Sequence, residues 1–333
     1  MTEIKEGNYL ITGATGFLGG ILIQKLRESE EFRKGKLKIL ALVRDKKKAK
    51  HIWRDEEGSS FILLQADIRD SQKLFSEIPG PVDYLIHCAS VTQSSEMIGQ
   101  PVETADSVVL GSRNMLALAV WLQVKSMVFL SSMEIYGTVE NAVRRRTESE
   151  LGELDLESVR SCYSMGKRMA EHYCHIYWHE YRLPVKIARL AQIFGKGARE
   201  EDNRVYAQFA RAVKQGRDII LKTSGKSMGN YCDSDEAAEG IMLILEKGVN
   251  GEVYNVVNEE NTMQIREMAE LVAREVAGGK IKVRIEQEPM EKTGYAPDTG
   301  LKLSGEKLRR LGWQPKKGLV QMYKDMLEEM CER

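Results

Sequence analysis

A short apolar run, Asn8-Tyr9-Leu10-Ile11-Thr12, is followed at once by Gly13-Ala14-Thr15-Gly16-Phe17-Leu18-Gly19 and then by an amphipathic stretch to Glu28. Strand, glycine-rich turn and helix in that order is a narrow specification. Gly13 permits the tight turn, Gly16 lets backbone N–H groups approach a pyrophosphate, and Gly19 allows close helix–strand packing, while the helix N-terminus favours the anion. A purely structural turn is the alternative. Three glycines at this spacing, in this context, point instead to dinucleotide binding.

The rest of the chain extends the same pattern. Strands are expected at Lys38–Val43, Phe61–Leu64, Val82–His87, Ser126–Leu130 and Val185–Leu190, with helices at Ser107–Gln123 and Tyr163–Tyr181. Strands alternating with helices imply βαβ units and a doubly wound parallel sheet, an α/β Rossmann fold. After Phe194 the pattern loosens into helices at Val205–Gln215, Ser234–Lys247 and Ile265–Val276, with short strands at Ile219–Lys222, Val253–Val256 and Lys280–Ile285. The expected organisation is a dinucleotide-binding domain over 1–190. A smaller α/β portion over 191–333 binds substrate, is partly interleaved with the core, and leaves a cleft between the two. The charged loop Gly137–Ser161 either borders that cleft or is a plain surface insertion.

Charge and cysteine usage exclude several classes. Lys plus Arg and Asp plus Glu both number 49, so nothing global points to nucleic acid or an anionic membrane. The N-terminus lacks a signal-peptide pattern, and no apolar run approaches the roughly 18 residues of a membrane span. Cys88, Cys162, Cys174, Cys232 and Cys331 are dispersed without a CxxC pair, which reads as reduced thiols in a cytoplasmic protein.

At the tip of the second strand, Arg44 would pair with the 2′-phosphate of NADP, whereas an acid there would accept from the ribose of NAD. NADP is favoured over NAD, with Asp45 immediately beside Arg44 as the counter-indication. Lys46, Lys47 and Lys48 add positive field or simply form a solvated face. Cys88-Ala89-Ser90 would run along the cofactor beyond the fourth strand. Tyr163-Ser-Met-Gly-Lys167 sets a phenol and an ammonium at i and i+4 on one helix face. A tyrosine near its ordinary pKa of about 10 is a poor base, and a neighbouring cation is expected to depress it so that it can take a hydroxyl proton. Ser132, at the end of the fifth strand, would hydrogen-bond the same substrate oxygen. His172, His175 and His179 share a helix face, but nothing gathers further ligands there, and no metal is expected.

The GxxGxxG cradle, Leu130-Ser-Ser-Met-Glu-Ile-Tyr-Gly137 and Tyr163-Ser-Met-Gly-Lys-Arg-Met-Ala-Glu171 resemble the NAD-dependent epimerase/dehydratase family of extended short-chain dehydrogenase/reductases. So do Asn230-Tyr-Cys-Asp-Ser-Asp-Glu-Ala-Ala238, Gly251-Glu-Val-Tyr-Asn255 and Leu311-Gly-Trp313-Gln-Pro315. The resemblance implies a nucleotide-diphosphate sugar as substrate, transient oxidation at C4, and a homodimer formed through the helices flanking strand five. It assigns Asp67 and Ile68 to the cofactor's adenosine side, and Gly13, Thr15, Gly16, Phe17, Leu18 and Gly19 to its phosphates. Ser132, Met133, Glu134, Gln192 and Met228 would face the substrate, with Ser132, Glu134, Tyr163 and Lys167 catalytic. Glu134 resembles the base of 4,6-dehydratases and UDP-glucuronate decarboxylases, which would act at C5. A 4-epimerase and an NADPH-dependent carbonyl reductase are the alternatives, and a surface carboxylate is the alternative for Glu134.

Three departures from the family pattern bear on the substrate. Met228 stands where an arginine often grips the nucleotide phosphates, Gln192 where an asparagine is usual, and Val108 in place of another asparagine. Arg144-Arg145-Arg146 reads as a solvated basic loop, with a replacement phosphate clamp as the alternative. Lys222, Lys226 and Arg204 are weaker candidates for that clamp.

Overall fold

A computed structural model describes residues 3–54, 58–139, 144–198, 202–287 and 299–332. The N-terminal part runs β1 (Gly7–Thr12), α1 (Phe17–Arg27), α2 (Glu30–Arg33), β2 (Leu37–Val43), α3 (Lys46–Ile52), β3 (Phe61–Gln65) and α4 (Ser71–Glu77). It continues through β4 (Tyr84–His87), α5 (Ser94–Gly99), α6 (Pro101–Trp121), β5 (Ser126–Ser132), a 3-10 turn at Met133–Tyr136, α7 (Ser161–Tyr181) and β6 (Val185–Leu190). Helix α6 starts earlier than Ser107 because Pro101 occupies its first turn, where a missing N–H costs nothing.

The second part consists of β7 (Gln192–Phe194), α8 (Val205–Lys214), β8 (Ile219–Leu221), β9 (Met228–Asp233), α9 (Ser234–Lys247), β10 (Val253–Val256) and β11 (Asn258–Gln264). Then come α10 (Ile265–Leu271) with a π-helical continuation to Val276, β12 (Val283–Ile285), α11 (Glu306–Arg309) and α12 (Leu319–Glu332).

Seven strands form one parallel sheet in the order β10-β6-β5-β4-β1-β2-β3. The order reverses between β1 and β4, and the crevice at that switch point lies at the strands' carboxyl ends. Strand β10, grouped in the sequence with the later portion, pairs with β6 and closes this sheet. Two apolar layers flank it. One packs Leu22, Ile23 and Leu26 of α1 with Ile241, Ile244 and Leu245 of α9. The other packs Val108, Met115, Leu116 and Ala119 of α6 with Ala170 and Cys174 of α7. A third core joins α8, α10 and α12 around Phe194, Tyr206, Tyr231 and Tyr323. Among the described residues, no helix is long and apolar enough to cross a membrane.

Candidate active site

The glycine cradle is built as its spacing requires. Gly13 takes φ +67, and a Cβ there would meet the backbone of Ala89. At Gly19 a Cβ would run into the Gly13 carbonyl, so the first turn of α1 can pack onto the loop only with glycine there. The Gly16 amide donates to the Gly13 carbonyl at 2.8 Å. The turn after β4 is anchored by the Ala89 amide, which donates to Thr12 Oγ1 at 3.0 Å. Thr12 also meets His87 Nδ1 at 2.8 Å, while His87 Nε2 faces Ser112 at 3.2 Å. Burial pulls the His87 pKa down to about 3, so this imidazole is a neutral brace rather than a titrating group.

A single cleft of about 1590 Å³ runs along the carboxyl ends of the strands. That exceeds the roughly 300–1,000 Å³ of a one-ligand pocket and leaves room for two molecules end to end. Gly13, Thr15, Gly16, Phe17, Arg44, Asp67, Ile68, Ala89 and Ser90 line one half. Leu18, Gly19 and Cys88 stand behind that lining, as packing residues. Asp45 accepts from the Lys48 amide at 3.0 Å as the N-cap of α3, and both Arg44 and Asp45 line the cleft. Arg69, absent from the sequence reading, grips Asp67 at 3.1 and 2.9 Å and holds that carboxyl below its ordinary value.

The other half is lined by Met133, Glu134, Arg160, Gln192, Arg204 and Met228, among others. Ser132, Tyr163 and Lys167 lie immediately beneath this lining. Ser132 ends β5 and its hydroxyl accepts from the Glu134 amide at 3.2 Å, so the serine that caps the 3-10 turn also fixes where Glu134 begins. Ser132 also sits close enough to the Tyr163 phenol to lower its pKa. Lys167 is buried; it donates to the Leu130 carbonyl at 2.7 Å and lies 4.7 Å from the Phe129 ring centroid. Burial pulls its pKa down to about 8, with Glu171 pulling the other way.

The direction at Tyr163 is opposite to the expectation from the Tyr–Lys spacing. Burial, reinforced by the Glu134 carboxylate, raises the phenol above its ordinary value, against the pull of Ser132, Arg204 and Arg160. The Lys167 ammonium spends its charge on a backbone carbonyl, and desolvation outweighs the remaining attraction. Glu134 is also not a lone carboxylate. Arg160 Nη1 and Nη2 donate to its two oxygens at 2.9 and 3.1 Å.

Arg160 was legible only as a charge three positions before the tyrosine.

The arginine triplet forms no clamp on the cleft. Arg144 pairs with Glu150, Arg145 with the Glu259 carbonyl and carboxylate, and the Arg146 amide with the Lys302 carbonyl. Arg144 stands largely solvated, as the preferred sequence reading has it, whereas Arg145 and Arg146 are half-buried and tie loop segments together. Lys226 lies off the cleft, while Lys222 and Arg204 line it. Arg204 is paired with Asp202 at 2.5 Å and sits close enough to lower the Tyr163 pKa. Val108 packs against Gly166 of α7. His172, His175 and His179 are exposed.

Three of the quoted motifs meet in one buried network. Arg189 of β6 binds Glu171 of α7 at 2.7 Å, and its Nη1 donates to the Tyr136 hydroxyl at 3.1 Å. Tyr136 in turn donates to Asn255 of β10 at 2.8 Å.

The sequence matches the NAD dependent epimerase/dehydratase family over residues 9–257. The chain belongs to that family.

This family is enzymatic, and the protein is an enzyme on a Rossmann fold. It is 28% identical over 309 residues to a UDP-glucuronic acid decarboxylase of Arabidopsis thaliana, covering 92% of this chain and 84% of the relative. A dTDP-D-glucose 4,6-dehydratase of Homo sapiens is 24% identical over 316 residues, covering 92% and 85%. Among solved structures, the UDP-glucose 4-epimerase of Thermotoga maritima superposes with a TM-score of 0.80 at 21% identity, covering 98% of this chain and 99% of that one. That structural likeness shows the fold.

Proposed function

We propose that this enzyme modifies a nucleotide-diphosphate sugar through transient C4 oxidation, as a 4,6-dehydratase or a decarboxylase. The observation that carries the reading is Glu134, a carboxylate on the cleft wall held in a two-point fork beside Tyr163. The size of the cleft and the names of the relatives support a sugar nucleotide beside a nicotinamide cofactor.

The cradle fits a dinucleotide, because glycine at 13 and 19 lets the loop pack tightly against Ala89 and the first turn of α1 while the backbone of Gly13 and Gly16 lines the cleft. Gly13, Thr15, Gly16 and Phe17 would hold the phosphates, and Asp67 and Ile68 the adenosine. Arg44, with Asp45 occupied as a helix cap, favours NADP over NAD. A bound nicotinamide supplies the hydride acceptor and a positive charge that favours the phenolate.

In this reading Ser132 and Tyr163 share the C4 hydroxyl, and Tyr163 accepts its proton. Lys167 keeps a cation below the phenol, 5.8 Å from its ring centroid, and steadies the nicotinamide ribose. Glu134, aimed by the Arg160 fork, takes the proton from C5 once C4 is a ketone. Exposed Leu110, Met165 and Met169 on α6 and α7 support pairing of two copies across these helices.

The test is product analysis with UDP-glucuronate, dTDP-glucose and UDP-glucose, beside mass spectrometry of cofactor released from the denatured enzyme. A 4-keto-6-deoxy sugar or a pentose product, lost in Tyr163→Phe by about 10²–10⁴-fold, is the expected result. Interconversion of C4 epimers alone would establish the epimerase. Stoichiometric consumption of added NADPH by a carbonyl compound would establish the reductase.

A further inference from the structure

Two polar side-chain atoms on the cleft have no partner among the described residues although both are buried: the Tyr231 hydroxyl and the Gln192 amide oxygen. They are neighbours by construction. Strands β7 and β9 run parallel, with Gln192 and Tyr231 as direct partners, so both side chains rise from one rung on the same face. Nearly every buried hydroxyl and amide in a folded protein finds a partner, and two orphans side by side on a cleft wall mark where one is supplied from outside.

The backbone accommodates the arrangement. Residues 229 and 231 alternate onto the same face of β9, and a Cβ on Gly229 would collide with the Tyr231 phenol oxygen and ring carbons. Glycine there lets the ring lie back along the strand, with its hydroxyl over Gly229, beside Met228. The ring is fixed from its other side by Phe194, edge-on at 5.8 Å. Tyr231 is fully buried. Burial raises its pKa, so at neutral pH the group is a phenol with a proton to donate.

We infer that Tyr231 and Gln192 form a neutral two-point clamp for the glycosyl diphosphate of the substrate. The phenol donates to a phosphate oxygen and the amide bonds a neighbouring phosphate oxygen or sugar hydroxyl. This rests on the nucleotide-sugar reading above and adds Tyr231 to it as a specificity-determining residue beside Gln192, which the sequence already turned toward the substrate. Neither group needs a charge, so binding here responds to the shape and acceptor geometry of the ligand more than to its net charge.

The test is calorimetric titration of wild type, Tyr231→Phe and Gly229→Ala with UDP-glucuronate, UDP-glucose and dTDP-glucose, alongside NADPH. For whichever sugar nucleotide binds wild type, Tyr231→Phe should weaken the affinity about tenfold. The unliganded melting temperature and the NADPH affinity should stay unchanged, because the hydroxyl has no partner among the described residues. Gly229→Ala, which displaces the phenol, should lose a similar factor. Equal affinity in wild type and Tyr231→Phe would overturn the clamp while leaving the nucleotide-sugar reading intact. Failure of all three sugar nucleotides to bind wild type would overturn both.

Discussion

Glu134 and Arg160 face each other across the mouth of the cleft, joined by two parallel hydrogen bonds of 2.9 and 3.1 Å. Both side chains are about one-third exposed, so the pair is worth little to stability. What the fork fixes is the direction of a carboxylate that would otherwise swing. Glu134→Gln is expected to keep C4 oxidation and stop the later steps. A sugar nucleotide added to that variant should then bring up the absorbance of reduced nicotinamide without product. Arg160→Lys keeps a cation but loses the fork, and turnover should fall about ten- to a hundredfold with little change in KM. Undiminished product from Glu134→Gln would remove the carboxylate from the mechanism.

Cofactor choice should rest on Arg44. Replacing it with alanine is expected to weaken NADPH about ten- to a hundredfold, the loss of a charge-assisted contact to phosphate, and to leave NADH nearly unchanged. Fluorescence titration with both nucleotides reads this directly. Parallel loss of both would mean that Arg44 grips a feature common to the two.

The Arg189–Glu171 pair is buried almost completely, with side chains 5% and 6% exposed. Removing one partner strands the other charge. Arg189→Ala should therefore cost about 3–5 kcal/mol in urea unfolding, whereas replacing both residues with apolar ones should cost less. A single-variant loss below about 1 kcal/mol would contradict the role given to this network.

The two lysines that burial pulls down should each add stability as pH rises above neutrality, against the opposite contribution of Cys88, Cys174 and Cys232, whose thiols burial pushes up. Burial pulls Lys167 and Lys186 down to about 8, whereas an unfolded lysine titrates near 10.4. Between those values these two sites bind more protons in the unfolded chain than in the folded one, so their contribution to stability grows with each pH unit. Lys186 is separate from the cleft and donates to Ser126 at 2.7 Å. Lys186→Met should flatten the rise by about 2 kcal/mol between pH 7.5 and 10, measured as urea midpoints. An unchanged slope would mean that Lys186 keeps its ordinary lysine pKa, and so its charge, when buried.

The parallel sheet was readable because its strands are apolar on both faces, as in Leu37–Val43 and Val185–Leu190. The polar strands β9 and β11 were not. Asn230 resembles a loop residue in sequence, yet it is buried, donating to the Leu301 carbonyl and accepting from the Leu303 amide. Asn258 and Asn261 are buried likewise and both donate to the Lys317 carbonyl. Such asparagines replace backbone partners that arrive from far along the chain, which no local pattern records. At the site, the glycine spacing and the Tyr–Lys pair were legible because they depend on single elements. The partners Arg69, Arg160 and Tyr231 were not, since each acquires meaning only from the geometry of a neighbour.

Strand β10 carries a consequence for how the molecule holds together. A chain cut after β6 would leave that strand as an open edge and would take Asn255 away from Tyr136, unthreading the buried network. The nucleotide-binding half thus depends for its last strand on residues made after much of the other half. The two halves should unfold in a single transition, and an injury on one side of the cleft should be felt as lost order on the other.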